Sequence, residues 1–190
     1  MKKIYYLQVK KGSVPSSRYD YPCEAIGNDF LSGRNIYVYG TDGALKKSIM
    51  SELKGYKCSF ADGVEDISDM IIVHSGYSSQ DNNPELYFKE LYYYHDEVFK
   101  AFQENKGNLR NVIFLLPYNS DIASTNYKQM ADYGTLCYSQ GLSAVHSIRE
   151  IYTYSLLVKE DIKADELIDT LLYCLSKNSD HFVAKTIKIG

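Results

Sequence analysis

The chain has 190 residues, of which 45% are hydrophobic and 24% charged, with a formal net charge of −3. That length supports one domain with a real core and is short for two, and no apolar run approaches the roughly eighteen residues of a membrane span. Lysines and arginines are scattered among acids rather than gathered in a stripe, which argues against nucleic acid as a partner.

The opening "MKKIYYLQVKKG" is basic but lacks an apolar core of signal-peptide length, so a cytoplasmic protein is expected. Residues 1–32 read as an N-terminal arm: "KIYYLQV" alternates like a strand, and "KKGSVPSSRYDYP" is polar and turn-rich. From 33 to 190 strand and helix patterns alternate. "NIYVY" (35–39) is a β-rich run, "GTDG" a tight turn, and "ALKKSIMSEL" (44–53) sets Leu45, Ile49 and Leu53 on one helical face. "YKCSF" (56–60) and "DMIIVH" (69–74) read as strands, Pro84 opens a long helix over 84–105, and "NVIFLL" (111–116) reads as a buried strand. The spacing predicts a helix over 139–150 with Leu142, Val145 and Ile148 inward, a strand over 151–158, an amphipathic helix over 164–176 and a closing strand over 183–189. This alternation predicts an α/β fold, a Rossmann-like three-layer sandwich around a mostly parallel sheet.

The four cysteines (Cys23, Cys58, Cys137, Cys174) form no CxxC pair, so neither a disulfide frame nor a metal site is expected. Tyrosine is the compositional oddity, at 19 residues with no tryptophan and a cluster in "ELYFKELYYYHDEVF". Such a group fits a surface buried against another chain and equally a core helix.

Read in order, four segments resemble the short-chain dehydrogenase/reductase superfamily, in particular its 3-oxoacyl-carrier-protein reductases. "GRNIYVYGTDGAL" is similar to the family's first strand and glycine turn, and "DMIIVHSGYSS" to its "D-I-L-V-N-N-A-G" strand. "YSQGLSAVHSI" is similar to its "Y-S-A-S-K-A-A-V" helix, and "LLYCLSKNSDHFVAKTIKIG" to its "FLASDxASYITGQxIxVDGG" ending. The resemblance covers 33–190 and implies hydride transfer between a nicotinamide cofactor and a carbonyl or hydroxyl group, on a shortened version of the family's sheet.

Each part of that chemistry is altered in this sequence. Gly40 and Gly43 remain from the cofactor turn, while Leu45 takes the third glycine position, where it is expected to fill the space of the phosphates. Between "YKCSF" and "DMIIVH" only "ADGVEDIS" remains, so the segment that reads the adenosine ribose is missing, and Asp62 and Glu65 read as solvated acids. In the proton-transfer apparatus the resemblance leaves Tyr138, Ser120 just beyond its usual place, and His95 where the family has Asn; Leu142 replaces the lysine that lowers the tyrosine's pKa. The segment after the sixth strand lacks the family's Pro-Gly lid.

The reading is therefore a degenerate member without cofactor, with Tyr138, Ser120 and His95 as vestiges of the site. In such reductases the two long helices pack against their copies as a four-helix bundle. The resemblance places Leu91, Tyr94, Val98, Phe102, Leu142, Val145 and Ile148 at that interface, facing an active homologous reductase or a second copy, with acyl carrier protein an indirect partner. The alternatives are a divergent NAD(P)H-dependent ketoreductase acting on a carrier-linked 3-oxoacyl substrate and a small-ligand binding module.

Overall fold

The structure, a computed structural model, describes residues 26–40, 43–74, 83–105, 107–118, 126–146, 150–159, 162–176 and 186–189. Among the described residues six strands and four helices follow in the order β1 (Asn35–Gly40), α1 (Ala44–Lys54), β2 (Ser59–Phe60), β3 (Asp69–Val73), α2 (Pro84–Glu104), β4 (Asn111–Tyr118), α3 (Asn126–His146), β5 (Tyr152–Lys159), α4 (Ala164–Leu175) and β6 (Thr186–Ile189). All pairings are parallel, in the order β2-β1-β3-β4-β5-β6. The chain leaves β1 toward β2 on one side and returns to β3 on the other, which sets a topological switch point at the carboxyl ends of β1 and β3. Among the described residues no helix is long and apolar enough to cross a membrane.

Alternation along each inner strand divides the core into two layers. Ile71 and Val73 pack with Ile49 and Leu53 of α1 and Leu167 and Leu171 of α4; Met70 and Ile72 pack with Tyr87, Leu91, Tyr94 and Val98 of α2. The expected N-terminal strand and residues 183–185 lie outside the described residues. At the end of the expected arm, Leu31 is fully buried in the α1/α4 layer, with Ile26 and Phe30 against it, and its N–H bonds the Tyr56 carbonyl, so these residues lie on the domain.

The opposite end of the sheet is held by charge. Asp69, with no exposed surface, accepts from Arg34 Nε at 2.8 Å, from Ser68 Oγ at 2.7 Å and from Asn111 Nδ2 at 2.7 Å. Arg34 adds a second contact to Asp69 through Nη2 and donates through Nη1 to the Leu175 carbonyl. One buried carboxylate thus joins β1, β3, β4 and the end of α4.

Two sequence expectations need correction. The helix expected over 139–150 begins at Asn126 and ends at His146, with Tyr138 in its interior. Its sheet-facing stripe is Ala131, Thr135, Ser139 and Ser143, small or hydroxylated residues four apart, so no apolar periodicity announces its first turns. The second correction concerns α2, which begins at an Asn83 cap accepting the Glu85 N–H at 3.0 Å, with Pro84 in the first turn. Leu91, Tyr94, Val98 and Phe102, expected at an interface, are buried against the sheet. The helix carries two apolar stripes, one buried and one exposed, and the sheet has taken this one.

Candidate functional site

The carboxyl edge of β1 and β3 is where an α/β sheet of this order places a ligand crevice. β1 ends at Gly40, whose φ is +135°, and a Cβ there would stand 2.1 Å from the Val73 carbonyl oxygen. Only glycine fits, because β1 and β3 approach backbone to backbone. Gly43 then caps α1 with extended backbone and no side-chain cap bond. Lys46, in the first turn of α1, reaches back to donate to the Gly40 carbonyl at 3.2 Å. Leu45, expected from the sequence to fill the space of the phosphates, is half-buried and packs on the α1/α4 core. The third glycine of such turns permits close helix–sheet packing, and leucine there acts on that packing.

β3 delivers His74 immediately after Val73, with its N–H on the Leu115 carbonyl at 3.1 Å. The imidazole is fully buried, with the Tyr87 ring 5.0 Å away and the Tyr94 ring 5.4 Å away, centroid to centroid. Asp132 of α3 accepts the Tyr87 hydroxyl at 2.5 Å, and the same oxygen lies 4.0 Å from His74 Nε2. Lys128, one turn earlier on α3, places Nζ 5.8 Å from the Tyr87 ring centre, and Tyr94 donates to Glu90. Burial lowers the His74 pKa to about 4, against the pull of Glu90, so the imidazole is neutral at neutral pH. Burial also raises Asp132 to about 6, with the Tyr87 bond and Lys128 acting the other way.

The residues expected as vestiges of a proton-transfer site lie one turn further along α2 and α3. Tyr138 stacks on His95, with centroids 4.2 Å apart, meets the edge of Phe114 in the middle of β4, and donates to the His95 carbonyl at 3.4 Å. Burial raises its pKa. His95 Nε2 lies 3.2 Å from Thr135 Oγ1, and burial lowers its pKa. Leu142 packs half-buried on the α2 core layer. Ser120 and Ile148 lie outside the described residues. Among the described residues no cluster of His, Cys, Asp and Glu has the arrangement of a metal site.

Sequence reasoning missed His74, Tyr87, Glu90, Lys128 and Asp132 as a group. The spacing of Lys128 and Asp132 and that of Tyr87, Glu90 and Tyr94 each mark one helix face, but nothing in the sequence says that the two faces meet over the end of β3.

The fold matches a short-chain dehydrogenase/reductase variant from Serratia marcescens with a TM-score of 0.63 and 12% identity, covering 84% of this chain and 97% of that one. It matches a citronellol catabolism dehydrogenase from Pseudomonas aeruginosa with a TM-score of 0.69 and 10% identity, over 86% and 95% of the two chains. A short-chain dehydrogenase from Leptospira borgpetersenii, whose structure holds NAD+, matches with a TM-score of 0.66 and 10% identity, over 90% and 97%. No family model and no curated protein matches the sequence. The chain has the short-chain dehydrogenase/reductase fold. It is a shortened form of a Rossmann-like sandwich, in which residues 61–68 alone connect β2 to β3 and residues 160–163 connect β5 to α4.

Proposed function

We propose that the chain is a non-catalytic subunit of short-chain reductase descent that pairs through the outer faces of α2 and α3 with an active ketoreductase, in fatty-acid or polyketide assembly. One observation carries the reading. The exposed large apolar side chains of the described residues all lie on these two helices: Leu86, Phe88, Tyr92, Tyr93 and Phe99 on α2, with Met130, Tyr133 and Val145 on α3. The described exposed residues of α3 include no charged side chain from Met130 to Val145, although 24% of the chain is charged. A solvated helix face normally carries charge, and an apolar patch of this kind is characteristic of an interface. Gly134 and Gly141 lie on the same face, with open space where a side chain would stand. Glycine inside a helix costs about 1 kcal/mol relative to alanine, and close approach of another helix is a compensating gain.

The loss of chemistry follows from placement. Tyr138 is committed to His95 and Phe114, and Leu142 supplies apolar packing where the family has a cation. The subunit on this reading holds no nicotinamide cofactor and stabilises or orients its partner. Co-expression with an acyl-carrier-protein ketoreductase of the same genome, followed by size exclusion with light scattering, tests it. A mixed oligomer in which Cys137, exposed on α3, is shielded from alkylation supports the pairing; a wild-type monomer in the presence of that reductase overturns it.

A second reading, a divergent NAD(P)H-dependent ketoreductase, is favoured by Gly40, the uncapped start of α1 and Lys46 beside it, a combination suited to an anion. Titration with NADPH and NADH decides between the two. Saturation at micromolar concentration would restore the enzyme, and its absence up to millimolar removes it.

A further inference from the structure

The junction of β3, α2 and α3 carries a second device, independent of pairing. His74, directly after β3, has no exposed surface, whereas the Asp132 side chain of α3 is 20% exposed and exchanges protons with solvent. Tyr87 of α2 touches both, donating to the carboxylate and lying against the imidazole. The other titratable groups facing the pair are Glu90, Tyr94 and His95 on α2 and Lys128 on α3.

We infer that His74 and Asp132 are a proton-transposing pair: closing this junction moves one proton from the imidazole, where the open chain holds it in mild acid, to the carboxyl of Asp132. The packing requires that direction. A buried imidazole between two tyrosine rings is costly to charge, and a carboxylate screened from water by α2 gains by protonation. Both ends of the exchange fall in one pH window. Asp132 titrates near 6 in the fold against about 3.9 in an open chain, so its contribution favours the fold below pH 4 and is lost as pH rises through 6. His74 titrates near 4 in the fold against about 6.5 in an open chain, so its contribution is present above 6.5 and lost as pH falls toward 4. The two slopes oppose each other, and the junction keeps its stability through mild acid. Either partner alone would make the fold depend on pH.

The test is urea unfolding of wild type, Asp132→Asn, His74→Asn and the double variant between pH 7 and 4. Relative to wild type, the unfolding constant of Asp132→Asn should rise as pH falls, with a limiting slope of about tenfold per pH unit for one proton. That of His74→Asn should fall over the same range, and the double variant should run parallel to wild type. Slopes of the same sign in the two single variants, or no change of slope in either, overturn the inference, whereas a merely structural role would shift stability equally at every pH. If a variant fails to fold, the His74 imidazole resonance of the wild-type protein decides: neutral to below pH 5 supports the pair, and titration near 6.5 overturns it.

Discussion

The Tyr138 ring lies over the His95 imidazole at 4.2 Å with 27° between their planes, so α2 and α3 are joined by a stack of two residues that the family resemblance assigned to proton transfer. The tyrosine hydroxyl meets only a long bond to the His95 carbonyl among the described partners, at 3.4 Å. Tyr138→Phe should cost less than about 1 kcal/mol, whereas Tyr138→Ala should cost about 3–5 kcal/mol through lost packing. Chemical denaturation of the two variants measures this, and a large loss on removing the hydroxyl alone would point to a role beyond packing.

Leu142→Lys restores a cation one turn from Tyr138 but leaves that tyrosine facing Phe114 rather than the carboxyl edge. No turnover of an acetoacetyl thioester with NADPH is expected, since catalytic groups that act as a unit do not recover singly. A spectrophotometric assay showing turnover would mean that the remaining site is intact.

On α2, neighbouring positions should behave in opposite ways. Val98 is fully buried and Phe99 is 57% exposed. Val98→Arg places an unpaired charge in the core and should abolish cooperative folding. Phe99→Arg with Val145→Arg should leave the unfolding free energy within about 0.5 kcal/mol of wild type while preventing the proposed pairing, as read by light scattering. Persistence of the oligomer would move the interface off these helices.

Gly40→Ala should destabilise the fold by several kcal/mol, on the order of 3, because the added carbon meets the Val73 carbonyl and the backbone angle disfavours any side chain. Gly134→Ala, with open space around it, should raise the stability of an isolated subunit by up to about 1 kcal/mol. Thermal melts of the two variants should move in opposite directions.

Asp69→Ala leaves Arg34 partly buried without its carboxylate and should cost roughly 3–5 kcal/mol. Replacing Arg34 by Met in the same chain should recover part of that loss, which a double-mutant cycle in urea would show.

Much of the fold was legible because apolar and β-branched runs survive in the sequence. "DMIIV" has no polar interruption after Asp69, as a strand covered on both faces must, and α4 shows its stripe of Leu167, Leu171 and Leu175 openly. The amino-terminal half of α3 was hidden because its inward described residues, Ala131 and Thr135, are small or hydroxylated. The stripe continues in the same way with Ser139, which meets Ser155 of β5, and a contact between two small polar residues has no hydrophobic period to betray it.

The sequence by itself determined the order of strands and helices, the glycine turn after β1 and the replacement of the expected lysine by Leu142, because each is a local matter of residue type and spacing. The tertiary structure decided which of two apolar stripes on α2 goes inward. Val98 and Phe99 are indistinguishable to a pattern of hydrophobicity, and only docking on β3 and β4 buries one and leaves the other in solvent. The same docking brings His74, Tyr87 and Asp132 together from three elements. The shifted protonation of His74 and Asp132 arises from water excluded by the assembled layers, a property that neither segment has alone.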